Sequence, residues 1–364
     1  MDIPGYSGNL TWLGARTIFL TRHGSHAYGT STPTSDLDLK GVAIPPARYV
    51  LGFASRFEQA EVKEPDAVIY ELRKFFTLAA DCNPSVIEVL FTDPDDHLGV
   101  TALGARLVDA RRSFLSRKAR HTFSGYAMAQ LRRLQQHHRW IKDPPSLPPT
   151  RAELGLPDED PATRDAVNTA LSELEKEIRG WEVDFGSLDR ESQDALRERI
   201  AAALAARIGA ERAPWPAAAR VLGLGPELTE RLALEREHRA RVRAWEQFQQ
   251  WHRARNPKRA ELESRFGYDV KFGMHVVRLL RMAREVLVEG EVRVRRPDAE
   301  ELRSIRAGAW AFERLVSWAT EADAELDALA KTSPLPHGPD RAALDALCVS
   351  LLEEALRQGD GPLT

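Results

Sequence analysis

Residues 17–41 read TIFLTRHGSHAYGTSTPTSDLDLKG, and this pattern predicts two strands joined by a polar loop. Residues 17–21 are apolar with a threonine at each end, which is typical of a buried strand. Residues 22–35 are rich in Gly, Ser, Thr and Pro and predict a loop with room for one helical turn. Residues 37–44 predict a second strand, which Pro45 and Pro46 end.

The flanking sequence extends this unit. Residues 66–72 predict a third strand and residues 73–81 a helix. Asn83 followed by Pro84 is typical of a helix N-cap with proline at the first helical position. The N-terminal hundred residues are therefore predicted to form a small α/β unit.

Two carboxylates, Asp36 and Asp38, stand two residues apart at the predicted second strand. Alternate side chains of a strand point the same way, about 6–7 Å apart. Two such carboxylates are unfavourable without a cation, and Mg²⁺ suits them because it prefers oxygen ligands and keeps positions open for phosphate. Gly24 before Ser25 allows a phosphate to approach the backbone closely. Together these features predict metal-assisted nucleotidyl transfer. The residues around Ser25 lack the Gly-x-Ser-x-Gly elbow of a serine hydrolase.

Gly-Ser, Tyr-Gly and Ser-Asp-x-Asp-x-x-Gly-Val occur in this order over residues 24–42. This block resembles the signature of DNA polymerase beta superfamily nucleotidyltransferases, and most closely the bacterial and phage branch associated with RNA repair. Further stretches fit that branch: residues 70–75, 83–88, 122–127 and 267–280. The likeness spans roughly residues 14–142 and 265–310. It implies an α+β protein in which a small nucleotidyltransferase-type α/β domain with a mixed sheet precedes a large all-helical region.

The resemblance implies transfer of a nucleotide from an NTP to a hydroxyl, with release of pyrophosphate and with Mg²⁺ or Mn²⁺ as cofactor. Asp36 and Asp38 are then catalytic metal ligands, and a third carboxylate comes from a later strand. Asp66 is the choice for it, and Glu71 is the alternative, of opposite strand parity. Predicted nucleotide-binding residues are Gly24, Ser25, Tyr28, Ser35, Lys271, His275 and Arg278. The last three are spaced i, i+4, i+7, so they share one helix face.

A basic segment lies between Asp109 and Asp143, with nine Lys or Arg and no carboxylate. The chain has a net charge of −3, so the other residues carry −12. This asymmetry favours a polyanion site, and the alternative is a solvated helix face whose acidic partners lie elsewhere in the fold. The segment also contains aromatic residues, an arrangement found in proteins that bind single-stranded nucleic acid. Predicted acceptor-binding residues are Arg117, Lys118, Arg120, Arg132 and Arg133.

An RNA end is the favoured acceptor, on the basic segment and on the resemblance. A protein or small-molecule acceptor is a second hypothesis. A third is a nucleotide-binding interaction protein without catalysis, although the retained aspartates and Gly-Ser argue against it. Neither the preferred NTP nor the oligomeric state follows from the sequence.

Four segments are predicted along the chain: a catalytic domain over 1–103, a basic helical segment over 104–142, a variable helical insertion over 143–264 and a C-terminal helical region over 265–364. In the last of these, residues 269–289, 299–329 and 340–357 are predicted helices, and residues 290–294 a short strand or turn. Residues 358–364 are predicted to fray.

Composition sets broader limits. The chain has 364 residues, of which 43% are hydrophobic and 29% charged, as in soluble globular proteins and unlike disordered, collagen-like or membrane-bundle proteins. We expect no membrane span and no secretory signal. Cys82 and Cys348 alone cannot form a disulfide framework, so a cytoplasmic location is expected.

Overall fold

The computed structural model describes residues 1–145, 147–156 and 226–364. It divides into two compact units, one made of residues 1–142 with 256–364 and the other of residues 143–255. Most of the predicted helical insertion, residues 157–225, lies outside the described residues. The four predicted segments stay a prediction.

The first unit contains a mixed five-stranded sheet of order β3-β4-β2-β1-β5. The strands are β1 (Thr17–His23), β2 (Asp38–Ala43), β3 (Gln59–Lys63), β4 (Asp66–Glu71) and β5 (His97–Val100). Strands β2 and β4 are parallel and the other neighbours are antiparallel. With the helices that follow, this confirms the predicted α+β class. Strands β3 and β5, at the two edges of the sheet, were not predicted.

The described residues form thirteen α-helices. In the N-terminal part they are α1 (Leu13–Arg16), α2 (Gly24–Tyr28), α3 (Ala47–Val50), α4 (Leu72–Ala80), α5 (Pro84–Leu90), α6 (Ala102–Asp109) and α7 (Ala119–Lys142). The later ones are α8 (Pro226–Ala254), α9 (Pro257–Phe266), α10 (Val270–Glu289), α11 (Ala299–Arg306), α12 (Phe312–Thr332) and α13 (Arg341–Arg357). Among the described helices, none combines the length and apolar character needed to span a bilayer.

Side-chain caps explain several helix starts. Asn83 accepts a hydrogen bond from the Ser85 N–H, as its position before Pro84 predicts. Asp269 caps α10 by accepting from the N–H groups of Lys271 and Phe272. The predicted helix over 299–329 is instead two helices, because Gly308 adopts a left-handed conformation with φ of 94° between them. Residues 290–294 form no strand.

The sheet has a core on each face. On one face, Leu20, Leu39 and Ile69 of the strands belong to a small core cluster. The other joins a larger cluster that runs from Val42 on β2 to Val277 on α10. Helix α10 packs against α7, α11 and α12, so the C-terminal helices share a continuous core with the sheet.

The C-terminal end is anchored, which makes the prediction of a frayed end wrong. Arg16 is fully buried, and its guanidinium donates to the carbonyl oxygens of Ile44 at 2.7 Å, Gly359 at 2.6 Å and Gly361 at 3.1 Å. The Leu363 N–H donates to the Ala15 carbonyl, and the Leu363 side chain is buried. One buried guanidinium thus satisfies carbonyl groups of the segment that follows α13 and fixes that segment against the N-terminal part of the chain.

Candidate active site

A pair of aspartates begins two parallel neighbouring strands. Asp38 is the first residue of β2 and Asp66 the first of β4, and the two are register partners. Parallel neighbours lie about 4.8 Å apart, and their side chains at paired positions point to the same face of the sheet. The structure therefore places Asp66, rather than Glu71, beside Asp38. The Glu71 carboxylate instead caps α4, where it accepts from the Lys74 N–H and the Arg73 guanidinium.

Asp36 lies in the loop two residues before β2, which begins at Asp38. The alternation argument therefore does not apply to Asp36, which is an exposed loop residue. Its charge still acts on Asp38. Burial raises the pKa of Asp38, the Asp66 carboxylate raises it further, the Lys271 ammonium lowers it, and Asp36 raises it again.

The carboxylates of Asp38 and Asp66 could bind a cation, but they are too few to hold a metal ion by themselves. Within the part of the chain that the structure describes, Asp38 and Asp66 form no ion pair. No three His, Cys, Asp or Glu side chains of the described residues are close enough together to hold a metal ion by themselves. Mg²⁺ bound through one or two carboxylates, with substrate phosphates as further ligands, fits such a site.

The Gly-Ser turn lies directly against Asp38. Gly24 follows β1 with a φ of 61°, and a Cβ at this position would lie 1.8 Å from the Asp38 Oδ2. Only glycine is therefore compatible with both the backbone conformation and the carboxylate. Ser25 is partly exposed. The structure thus brings Gly24, Ser25, Asp38 and Asp66 together, while Ser35 accepts a hydrogen bond from the Thr32 N–H in the connecting loop.

Tyr28 and Arg278, both predicted to bind nucleotide, meet in a buried network around Glu88. The Tyr28 hydroxyl donates to Glu88 Oε2 at 2.6 Å, and the Arg278 Nη1 donates to Glu88 Oε1 at 2.6 Å. The Arg278 guanidinium lies 3.9 Å from the centre of the Tyr28 ring. His23 Nε2 lies 3.4 Å from Glu88 Oε2. The network joins α2, α5 and α10 and holds both ends of the Gly-Ser turn.

Glu88 is ionised in this network. Burial raises the pKa of Glu88, but the Arg278 guanidinium, with His23 and Tyr28, lowers it by more, so the net shift is downward. Burial lowers the pKa of His23, which favours its neutral form. Our sequence reasoning did not assign a role to Glu88. The signal was its position as a lone charge in the apolar helix sequence PSVIEVL.

Lys271 and His275 lie on the first turns of α10. Lys271 is exposed, and its charge acts on Asp38. Burial, followed by the charges of Arg278 and Lys271, lowers the pKa of His275 to about 3. His275 is therefore neutral at pH 7, so Lys271 is the exposed cation of the predicted stripe.

We expect His275→Asn to flatten the pH dependence of stability. Above pH 6.5 the histidine is neutral in the folded and the unfolded chain. As the pH falls from 6.5 toward 3, only the unfolded chain gains this proton, so the parent loses about 1.4 kcal/mol of unfolding free energy per pH unit through His275. Urea unfolding between pH 7 and pH 4 measures the difference in slope. His121→Asn, at an exposed position on α7, controls for the loss of a histidine. Parallel curves of unfolding free energy against pH for His275→Asn and the parent would contradict the lowering of the His275 pKa by burial.

Part of the basic segment is neutralised by carboxylates from elsewhere in the fold. Lys118 pairs with Asp81, and Arg120 with Asp323 and Asp327. Arg117 donates to the carbonyl oxygens of Ser333 and Leu335. For Lys118 and Arg120 the geometry matches the alternative interpretation, in which acidic partners lie elsewhere in the fold.

Arg132 and Arg133, by contrast, are exposed on α7. Neither forms an ion pair with any residue that the structure describes. The surface of α7 that can meet a polyanion is therefore the half beyond Tyr126.

Comparison with known proteins agrees with this geometry. Residues 11–143 match the family model described as RNA repair pathway DNA polymerase beta family, which confirms the resemblance seen in the sequence. The match includes the Gly-Ser turn, both strands of the aspartate pair, Glu88 and α7.

A protein of Enterobacteria phage T4, described as an uncharacterized 38.9 kDa protein in the nrdC-mobD intergenic region, is 37% identical over 90 residues. The alignment covers 22% of this chain and 27% of the phage protein, so the chain spans about a quarter of the length of that relative. No solved structure matches the chain.

Proposed function

We propose that this protein transfers a nucleotide from an NTP to a hydroxyl at an RNA end and releases pyrophosphate. The observation that carries the proposal is the in-register pair Asp38–Asp66 lying against the Gly24-Ser25 turn, in the segment that matches a DNA polymerase beta-like family of RNA repair. The matching family supports a nucleotidyltransferase-type reaction and a link to RNA repair, and the activity itself, the acceptor, the NTP and the metal are all part of the proposal.

Each residue of the site has a role in this reaction. Backbone N–H groups at Gly24-Ser25 and the Ser25 hydroxyl donate to the β- and γ-phosphates. The Lys271 ammonium pairs with the same anionic groups. Asp38, Asp66 and the neighbouring Asp36 would hold Mg²⁺, or Mn²⁺ in its place. When bound, the ion neutralises charge on the phosphates and favours ionisation of the attacking hydroxyl.

The transfer is a single displacement at the α-phosphorus of the NTP. The acceptor oxygen forms a bond to the α-phosphorus, and the bond from that phosphorus to its bridging oxygen breaks. Pyrophosphate leaves with the bridging oxygen. Asp66 lies beside Asp38 on the same face and takes the proton of the attacking hydroxyl.

The acceptor is tested by supplying each α-labelled NTP with Mg²⁺ and a panel of RNA, DNA and protein. We expect the label on RNA ends. Arg132→Glu with Arg133→Glu should weaken RNA binding and reduce its salt dependence, because each lost phosphate contact removes about 0.7 from the log–log slope for single strands. Binding of NTP should stay nearly unchanged.

Arg48→Glu with Arg56→Glu is the matched control. It makes the same change of net charge at two exposed arginines, which lie near the core cluster that contains Leu20, Leu39 and Ile69. Label on protein alone, or equal RNA binding by the two double variants, would contradict an RNA acceptor and leave the protein-acceptor hypothesis in its place.

A further inference from the structure

The structure separates the aromatic residues of the basic segment. Phe114 and Phe123 are fully buried, whereas the Tyr126 side chain on α7 is 50% exposed. Trp140 stacks on His137. Tyr126 therefore offers an open ring on the surface of α7, and its hydroxyl is held by the Asn83 amide, which donates to it at 3.4 Å.

A short chain of contacts leads from this ring to the aspartate pair. Asn83 accepts from the Ser85 N–H at 3.1 Å, and the Ser85 carbonyl accepts from the Lys40 Nζ at 2.7 Å. Lys40 stands two residues after Asp38 on β2, so the two side chains point to the same face of the sheet. These contacts connect the Tyr126 ring, through α5, to the strand that carries Asp38.

Two polar side chains lie on the same face of α7 as the Tyr126 ring. Gln130 and Arg133 follow Tyr126 at i+4 and i+7, so all three lie along one face of α7 over about 10.5 Å. Arg133 is exposed and has no ion pair among the described residues. The Gln130 Oε1 is shielded from solvent without a hydrogen-bond donor, a state that rotation of the side chain toward a ligand N–H would relieve.

We propose that Tyr126, Gln130 and Arg133 form a subsite for an unpaired nucleobase of a single-stranded acceptor. The base stacks on the Tyr126 ring, an interaction that every base can make. An amino or imino group of that base donates to Gln130. The guanidinium of Arg133 pairs with a backbone phosphate of the same strand.

The charge of Arg133 favours the acceptor strand, rather than the NTP, as the source of the base that stacks on Tyr126. The triphosphate is assigned to Gly24-Ser25 and Lys271, so a lone NTP supplies no phosphate for Arg133. A strand that continues along α7 supplies one. The subsite rests on the proposed function for its ligand, because the contacts from the ring lead to the strand that carries Asp38, where the acceptor hydroxyl would arrive.

The test uses the full chain and two fluorescent single-stranded RNAs of equal length, one complete and one with abasic nucleotides at its end. Tyr126→Ala should weaken binding of the complete RNA by about 5- to 150-fold, and binding of the abasic RNA by less than about twofold. Tyr126→Phe is the matched control, since it keeps the ring and loses only the bond to Asn83, and it should bind the complete RNA within a few fold of the parent.

The pattern of results separates this inference from the proposed function. Equal weakening of both RNAs by Tyr126→Ala, or no weakening of either, overturns the stacking subsite even if the parent transfers nucleotide to RNA. A loss of NTP affinity in Tyr126→Ala with RNA binding unchanged assigns the ring to the incoming nucleotide and also overturns it. A parent that binds the complete RNA more tightly than the abasic RNA, through a preference that Tyr126→Ala removes, but that releases no pyrophosphate supports the subsite and contradicts the reaction.

Discussion

Replacing Asp38 by asparagine is expected to reduce nucleotidyl transfer by about a thousandfold or more and to leave the fold intact. A lost ligand charge weakens the cation site, an effect of several kcal/mol in the transition state. In the folded chain the pKa of Asp38 is raised by burial and by the Asp66 carboxylate, so the charged form is unfavourable there. Removing it should therefore leave the free energy of unfolding within about 1 kcal/mol of the parent, or increase it.

Transfer of α-labelled NTP at saturating Mg²⁺ measures the first effect, and urea unfolding the second. Glu61→Gln on β3 is the matched control, since it neutralises an exposed carboxylate of the same sheet and should keep the parent rate. Retained turnover in Asp38→Asn would remove the catalytic assignment. Loss of turnover together with unfolding would show that Asp38 has a structural role that the geometry does not predict.

Glu88→Gln is expected to lower the free energy of unfolding by about 3–5 kcal/mol, because it leaves the Arg278 guanidinium buried without its counter-charge. Both side chains of the pair are at least nine-tenths buried. The ionised carboxylate stabilises the folded chain above its unfolded pKa of about 4.3, and this contribution is lost as the pH falls below it. The stability curves of parent and variant should therefore converge at low pH.

Two further variants make this prediction specific. Glu289→Gln breaks the exposed i,i+4 pair with Arg293 and should change stability by less than about 1 kcal/mol. Glu88→Gln combined with Arg278→Met removes both charges and should recover part of the loss. A Glu88→Gln variant as stable as the parent, or a double variant that is less stable than the single one, would contradict the charged pair.

Local signals were sufficient for the parts of the fold that depend on neighbours in sequence. The strand before Gly24 and the Asn83 cap lie where residue type and spacing predicted them. The edge strands β3 and β5 were missed because Gln59–Lys63 is short and polar, and because the glycine in His97–Val100 weakens the strand signal. Strand β2 begins at Asp38, one residue later than predicted, so Asp36 lies two residues before it in the loop.

Partners distant in sequence were the feature of the site that the sequence could not supply. Arg278 was predicted to bind phosphate, yet its guanidinium is paired with Glu88, which lies 190 positions earlier in the chain. Arg120 was predicted to bind the acceptor and instead meets Asp323 and Asp327. A charge pattern shows that a cation is present, and only the fold shows whether a carboxylate already neutralises it.

The most direct test of the proposed reaction is the stoichiometry of transfer by the parent chain, measured as label gained by the acceptor and pyrophosphate released in the same reaction. We expect equal molar amounts of both products in the parent, neither product in Asp38→Asn or Asp66→Asn, and both in Glu71→Gln at a temperature where that variant is folded. Release of inorganic phosphate instead of pyrophosphate, or equal products from Asp66→Asn and the parent, would contradict nucleotidyl transfer at the Asp38–Asp66 pair.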